Sequence, residues 1–452
     1  MDLAKHDAVA LIAAFKAGTA TPVDAYEASW SLMAALEPTL NAVTYANPAA
    51  RLEAEASAAR WRAGAPIGVL DGVPVTVKDS LCVAGMPATL GSPAYRDYVA
   101  AADELPVERL RAAGAIIIGK TNLPEFALEG YTDNTLFGPT GNPLHPDLTP
   151  GGSTGGGAAS VAAGYAPIAL GTDAGGSLRR PAAHCGLVAL KTTRGRVPRR
   201  GGLPQFLLDF EVVGGITRSL RDTRLLYDVL SGADPLGAPG AAPPDPEPKA
   251  GPLRILAVER FGANPLDPAI ATSFQAFADR LVALGHTVET GEVPASVERM
   301  AEVWSEIGPI HLAHLFEQAP EIGRSVSAKY RDMATAAARF PATRLVEILA
   351  RVADLRRDTT ALFQRWDAVV TPAIAALAWP KRDAFPPVID GLPVGPRGHA
   401  IYTGWVNAAG LPALALPTAP ARDGRQIGIQ LIGSFGADRQ LLALGDALMS
   451  VL

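Results

Sequence analysis

The sequence predicts an α/β protein built on a buried sheet with parallel strands, and three segments carry that prediction. Val73-Pro74-Val75-Thr76-Val77-Lys78-Asp79 is β-rich and ends in charge, which places Lys78 at the carboxyl end of a strand. Residues 107–113 have helical periodicity and lead through Gly114 into Ala115-Ile116-Ile117-Ile118-Gly119, a continuous apolar run typical of a strand covered on both faces. An Ala-rich helix at 158–163 then precedes Pro167-Ile168-Ala169-Leu170-Gly171, repeating the helix-then-strand order of a parallel sheet.

The remaining elements follow along the chain. Residues 8–16, 23–37 and 49–62 read as helices of an N-terminal layer, with the start from Met1 to Lys16 taken as one amphipathic helix. Residues 138–157 are rich in Gly, Pro, Ser, Thr and Asn and read as a long loop. The stretch 232–252 holds seven prolines and reads as an exposed connector between two halves. Beyond it, strands at 254–258 and 287–289 flank a helix at 270–284, helical patterns dominate 297–365, and strands at 368–370, 413–416 and 427–432 are closed by a helix at 439–452. No internal repeat is present.

Composition narrows the function. Of 452 residues 48% are hydrophobic and 19% charged, which is a folding composition, not that of a disordered chain. Forty basic against forty-five acidic residues leave a net charge of -5, without the footprint that nucleic acid or an anionic membrane demands. A small-molecule partner is expected. No eighteen-residue apolar run occurs and the N-terminus lacks a basic stretch followed by an apolar one, so the expected location is the cytoplasm. Cys82 and Cys185 stand far apart, without C-x-x-C spacing, and read as free thiols. His311-x-x-His314, with Glu317 beyond it, lacks the H-E-x-x-H arrangement, so no metal site is expected.

The informative stretch is Gly151-Gly152-Ser153-Thr154-Gly155-Gly156-Gly157, followed after a helix and a strand by Gly171-Thr172-Asp173-Ala174-Gly175-Gly176-Ser177. A phosphate-binding loop would need a lysine after its glycines, and none follows either cluster. Gly151-x-Ser153-x-Gly155 matches the nucleophile-elbow pattern, but that elbow follows a strand directly. Here the preceding residues 142–150 contain three prolines, which disqualify a central strand. Glycines can also serve tight turns and close packing alone. Two glycine-serine loops 24 residues apart, separated by a helix and a buried strand, can instead bring two hydroxyls to one sheet edge, the geometry that proton relay requires.

The run from Gly151 to Pro198, GGSTGGGAASVAAGYAPIALGTDAGGSLRRPAAHCGLVALKTTRGRVP, resembles the signature segment of the amidase signature family. The upstream Gly72-Val73-Pro74-Val75-Thr76-Val77-Lys78-Asp79, the segment Gly119 to Phe126, and the C-terminal Ala409 to Ala413 with Gly428 to Gly433 resemble further parts of it. The resemblance is weakest between Gly232 and Asp367. It implies one large α/β/α domain over residues 1–452, with a central mixed, mainly parallel β-sheet covered by helices and a helical excursion at about 293–365 that shapes the substrate pocket. It also implies a serine amidohydrolase that needs no cofactor.

Carried over residue by residue, the resemblance implies Ser177 as nucleophile, Ser153 as relay and Lys78 as base, with a cis peptide between Gly152 and Ser153. A serine hydroxyl must lose its proton during attack, and lysine can take it only when neutral, a form that desolvation favours. Lys78 is therefore expected to be buried, with Val75 and Val77 walling it in. The backbone N–H groups of Ala174, Gly175, Gly176 and Ser177 are expected to face the oxyanion. Thr154, Asp173 and Arg179 are expected to support these groups, the last two by ion pairing. Ala174, Gly157, His184 and Thr192 depart from the residues usual in the family, and so does Arg180, where an apolar residue is usual. An arginine three residues past the nucleophile can grip a substrate carboxylate bidentately, or be a structurally paired arginine. Phe126, Tyr131 and Trp405 are candidate pocket residues. The resemblance leaves three readings open: a hydrolase of a small carboxamide, including carboxylate-bearing or urea-derived amides; the glutaminase subunit of a tRNA-dependent amidotransferase; and a non-catalytic scaffold subunit. The sequence does not fix the oligomeric state; a homodimer is one assembly open to it, dimers being frequent among soluble proteins.

Overall fold

A computed structural model describes residues 2–234, 236 and 243–450, so the middle of the proline-rich connector lies outside the described residues. The N-terminal half contains α1 (Ala8–Ala17), α2 (Pro22–Leu40), β1 (Val43–Ala46), α3 (Ala50–Arg62), β2 (Pro74–Lys78), α4 (Leu105–Ala112) and β3 (Ile116–Thr121). It continues through α5 (Gly155–Ala162), β4 (Ile168–Asp173), α6 (Arg179–Cys185), β5 (Val188–Lys191), β6 (Val212–Thr217) and α7 (Leu220–Leu230). After the connector come β7 (Arg254–Ala257), α8 (Pro268–Ala283), β8 (Thr287–Thr290), α9 (Ser296–Gln318), α10 (Pro320–Ser325), α11 (Ala328–Ala337) and α12 (Ala342–Leu362). The chain ends with β9 (Ala368–Pro372), β10 (Val388–Ile389), β11 (Leu392–Pro393), α13 (Gly404–Ala408), β12 (Ala413–Pro417), β13 (Gly428–Gly433) and α14 (Asp438–Met449).

Among the described residues one eleven-stranded sheet takes the order β1-β3-β2-β4-β6-β5-β12-β13-β9-β7-β8, and β10 and β11 form a separate short pair. The sheet is mixed and helices cover it, as expected. Its antiparallel share is larger than predicted: six pairings are antiparallel and four parallel. The antiparallel pairs come from β1, β5 and β6, none of them predicted, and from the returning strands β12 and β13. Burial follows strand alternation. In β9, Ala368 and Val370 pack with Phe274 and Phe277 of α8, while Val369 faces the cluster of Met300, Ile348 and Val352 from α9 and α12.

Local chemistry explains the element starts. Thr21 and Asp24 form a reciprocal capping box at α2, satisfying two otherwise orphaned N–H groups. The N-terminal segment is not one helix: a short turn at Leu3–Lys5 ends before Asp7, whose carboxylate accepts from Ala10 N and starts α1. The aspartate cap fixes that boundary because its side chain competes with a continuing helix for the backbone donors.

Candidate active site

The site lies where β2, β3 and β4 run side by side and parallel, so that their carboxyl ends share one edge of the sheet. Open α/β sheets bind ligands at such an edge. Lys78 is the last residue of β2, Thr172 and Asp173 end β4, Ser153 lies in the loop before α5, and Ser177 lies in the loop between β4 and α6. The glycines of these loops are forced by proximity. Gly176 has φ +116° and a Cβ there would stand 2.2 Å from Thr403 Oγ1, while a Cβ on Gly156 would stand 2.4 Å from the backbone nitrogen of Asn122. The Gly152–Ser153 peptide is cis.

Lys78 is fully buried, and its Nζ donates to Ser153 Oγ at 2.8 Å and to Thr172 Oγ1 at 2.9 Å. Among the described residues no carboxylate lies within ion-pair distance of it. Burial pushes its pKa down to about 7, against the opposing pull of Glu211 and Asp173. Val75 and Val77 do not wall it in. Strand alternation turns those two toward Val107 and Leu110 of α4, and sends Lys78 to the face of Thr76, whose hydroxyl meets Ser160 of α5 at 2.9 Å.

Ser177 is buried but lines a cavity of about 310 Å³, and its hydroxyl makes no hydrogen bond with Ser153 or any other described residue. Lys78 and Ser153 are thus joined by a hydrogen bond, and the two glycine loops are joined by the bond from Thr154 N to Ser177 O at 3.1 Å. Thr154 adds a hydroxyl bond to Thr172 O at 3.1 Å. Of the four N–H groups expected to face an oxyanion, Gly176 is removed: it donates to Asp173 Oδ1 at 2.6 Å and is committed to that carboxylate. The N–H groups of Ala174, Gly175 and Ser177 have no acceptor among the described residues.

Asp173 and Arg179 form a wholly buried ion pair at 3.0 Å. Burial alone would raise the Asp173 pKa, but the Arg179 guanidinium beside it holds it well below the usual carboxylate range. The carboxylate also accepts from Leu178 N and Asn407 Nδ2, and Arg179 donates onward to Gln430 Oε1 and Thr403 O. Arg180 reaches the cavity, but its Nη1 donates to Gly175 O at 2.7 Å and Thr403 Oγ1 at 3.2 Å, and its Nη2 to Gly152 O at 3.3 Å. Its fork therefore braces both glycine loops.

Three candidate pocket residues are corrected, since none lines the cavity. Phe126 is sealed in an aromatic cluster with Phe206, Phe316 and Tyr330. Trp405 is packed in the core beside Phe261. Tyr131 sits behind the loop, its carbonyl 2.4 Å from where a Gly152 Cβ would stand, with Lys329 over its ring. The walls come instead from Leu128, Leu207, Trp304, Met333, Phe385 and Arg397. Thr172, in the second glycine cluster, was open to detection as a hydroxyl beside the nucleophile. Trp304, Arg397 and Asn407 carry no local signal and meet the site only through the fold.

The chain has relatives among known proteins. A family model described as Amidase matches residues 24–442. The chain is 35% identical to a glutamyl-tRNA(Gln) amidotransferase subunit of Symbiobacterium thermophilum, over 97% of this chain and 95% of that one. It is 34% identical to the indoleacetamide hydrolase of Bradyrhizobium diazoefficiens, over 97% and 85% respectively. The crystal structure of a bacterial aryl acylamidase of the amidase signature enzymes superposes with a TM-score of 0.88 at 27% identity, covering 98% of this chain and 96% of that one.

Proposed function

The chain belongs to the amidase signature family and is a hydrolase of amide C–N bonds, and from that premise we propose that it acts on a small carboxamide through an acyl-Ser177 intermediate. The observation that carries this reading is the buried Lys78 amine, with no carboxylate in ion-pair distance among the described residues and hydrogen-bonded to Ser153 beside the cavity that Ser177 lines.

In the reaction, neutral Lys78 takes the Ser153 proton as Ser153 takes that of Ser177, and Ser177 Oγ bonds to the amide carbon. This step requires the Ser177 hydroxyl to point at Ser153 Oγ. The carbonyl oxygen gains charge within reach of the Ala174, Gly175 and Ser177 N–H groups, each worth about 3 kcal/mol to the transition state. The C–N bond breaks as the relay returns its proton to the departing nitrogen, releasing ammonia or an amine. Water, deprotonated by the same relay, then cleaves the ester and frees the acid and Ser177.

A fluorophosphonate probe tests this directly. Stoichiometric labelling at Ser177, lost in Ser177→Ala, is expected, and a chain that labels elsewhere or not at all ends the reading. The 35% identity to an amidotransferase subunit supports a second reading, a glutaminase active only with partner subunits. The purified chain is expected to hydrolyse simple amides alone; turnover of glutamine only within a stable complex would favour the second reading.

A further inference from the structure

The cavity beside Ser177 is apolar over most of its wall, yet it holds four charged groups: Glu129, Arg180, Lys329 and Arg397. Lys329 is paired with Glu129. Arg180 is spent on the carbonyls of Gly175 and Gly152. Arg397 differs from both. Among the described residues its guanidinium donates no hydrogen bond and has no carboxylate within 4.0 Å; it lies over the face of Trp304, 5.0 Å from the ring centroid, and feels Glu129, already paired with Lys329, only from further off. The residue is half-buried, and partial burial without a hydrogen-bonded counter-charge is a costly combination for an arginine.

Placement makes the free guanidinium useful. The Trp304 indole leans on the oxyanion loop, since a Cβ on Gly175 would stand 2.7 Å from Cζ2. One ring thus spans the distance between the nucleophile loop and Arg397. A substrate whose carbonyl sits at Ser177 can lie along that ring and end at a planar fork that matches a carboxylate.

We propose that Arg397 is a specificity-determining residue of this site and receives a carboxylate at the end of the substrate remote from the scissile amide. This rests on the reading of Ser177 as nucleophile. It moves the anion-binding role from Arg180, whose two terminal nitrogens both donate to the glycine loops and to Thr403, to a residue 217 positions further along the chain. Burial lowers the Arg397 pKa only to about 10, so the group is charged at neutral pH.

Matched substrates test it. Primary monoamides of dicarboxylic acids with two to six carbons between the carbonyls, and N-acetyl amino acids of the same span, are each compared with their methyl esters. In wild type the anionic member of at least one series is expected to have the higher kcat/KM; which series shows it identifies the acyl or the amine side as the carrier. Arg397→Met should cut kcat/KM for that anion about ten- to hundredfold, the worth of one charged hydrogen bond, and leave the ester within a few fold. Arg397→Lys should restore part of the loss. A dicarboxylate should inhibit wild type competitively and Arg397→Met at least tenfold more weakly.

Equal turnover of acid and ester by wild type, or equal losses on both in Arg397→Met, would overturn the proposal and leave Arg397 as packing on Trp304. Fluorophosphonate labelling of Ser177 in each variant separates the two levels: labelling retained with selectivity unchanged sinks the role of Arg397 alone, whereas labelling absent in wild type sinks the nucleophile as well.

Discussion

Among the described residues three lysines are fully buried, and what each side-chain nitrogen touches sets its chemistry. Lys120 lies 3.3 Å from Asp79 and also donates to the carbonyls of Leu81 and Pro87, so its amine is committed to structural partners. Lys191 donates to Thr192 O, and burial pushes its pKa down to about 7. Lys78 alone meets two hydroxyls, one of them that of Ser153. A base with a pKa of about 7 is neutral above that pH, so kcat/KM is expected to rise through pH 7 to a plateau, and Lys78→Met to remove activity without removing the fold. Stability carries the same signature. Between about pH 7 and 10.5 the unfolded lysine is protonated and the folded one is not, so the unfolded state binds more protons and stability rises with pH. Lys78→Met should flatten that rise by about 1.4 kcal/mol per pH unit in denaturant titrations, and an unchanged slope would mean that Lys78 is charged in the folded protein. Thr172 gives a separate expectation. Thr172→Val removes one of two acceptors that orient the amine, so kcat should fall about tenfold with KM unchanged, while Thr172→Ser keeps most activity. The position of Lys78 was legible because a β-rich run ending in Lys-Asp is local. Its wall was not, since which face a strand-end side chain takes depends on the layer packed against it.

At the scale of elements, the Asp173–Arg179 pair is the joint of the site. Asp173 ends β4 and Arg179 begins α6, and together they reach Asn407 on α13 and Gln430 on β13. The loop that carries Ser177 is thereby tied to a helix and a strand from the other half of the chain. Asp173→Asn leaves a fully buried guanidinium without its counter-charge, and the expected loss is about 3–5 kcal/mol in the unfolding free energy. Removing both charges, as Asp173→Asn with Arg179→Met, should recover part of that loss, and equal destabilisation by single and double variants would argue against an ion-pair origin. The sequence made the ionic partners visible because they lie six residues apart; Asn407 and Gln430 stand in segments with no such hint. The same limit applies to strands. Continuous apolar runs such as Ile116–Ile118 announce themselves, whereas β6 contains Gly214-Gly215, a pair that weakens the signal of a strand. Those glycines are there for packing: Cβ atoms on them would stand 2.6 Å from Leu190 O and 2.1 Å from Leu226 Cδ2. The mainly parallel sheet was what the resemblance implied, and β1, β5 and β6 add antiparallel pairs that no segment of the sequence announced.

Across the whole molecule, the sheet joins two halves at the antiparallel β5–β12 pairing, and the two halves have different duties. Lys78, Ser153, Thr172 and Ser177 all come from residues before the proline-rich connector. Much of the cavity wall comes from after it: Trp304, Ser305 and Gly308 from α9, Lys329 and Met333 from α11, and Phe385 with Arg397 from the segment around the β10–β11 pair. The half with the stronger sequence resemblance supplies the chemistry, and the weakly resembling excursion supplies walls. That division explains why the reaction was readable from sequence and the pocket was not: a relay needs particular residue types at particular loops, while an apolar wall can be built from many residues in many registers. It also has a measurable consequence. Met333→Ala enlarges the cavity on α11, away from the Lys78 and Ser153 hydrogen bond. It should change KM ratios across a panel of aliphatic and aromatic amides by about tenfold, the scale of one or two methylene groups in a hydrophobic pocket. The rate at which a small fluorophosphonate labels Ser177 should stay within about twofold of wild type, because that step draws on the first half's relay and oxyanion donors. A variant in which labelling falls in step with amide turnover would show that the two halves do not divide the work, and that the helical excursion holds the nucleophile loop in place as well as walling the substrate.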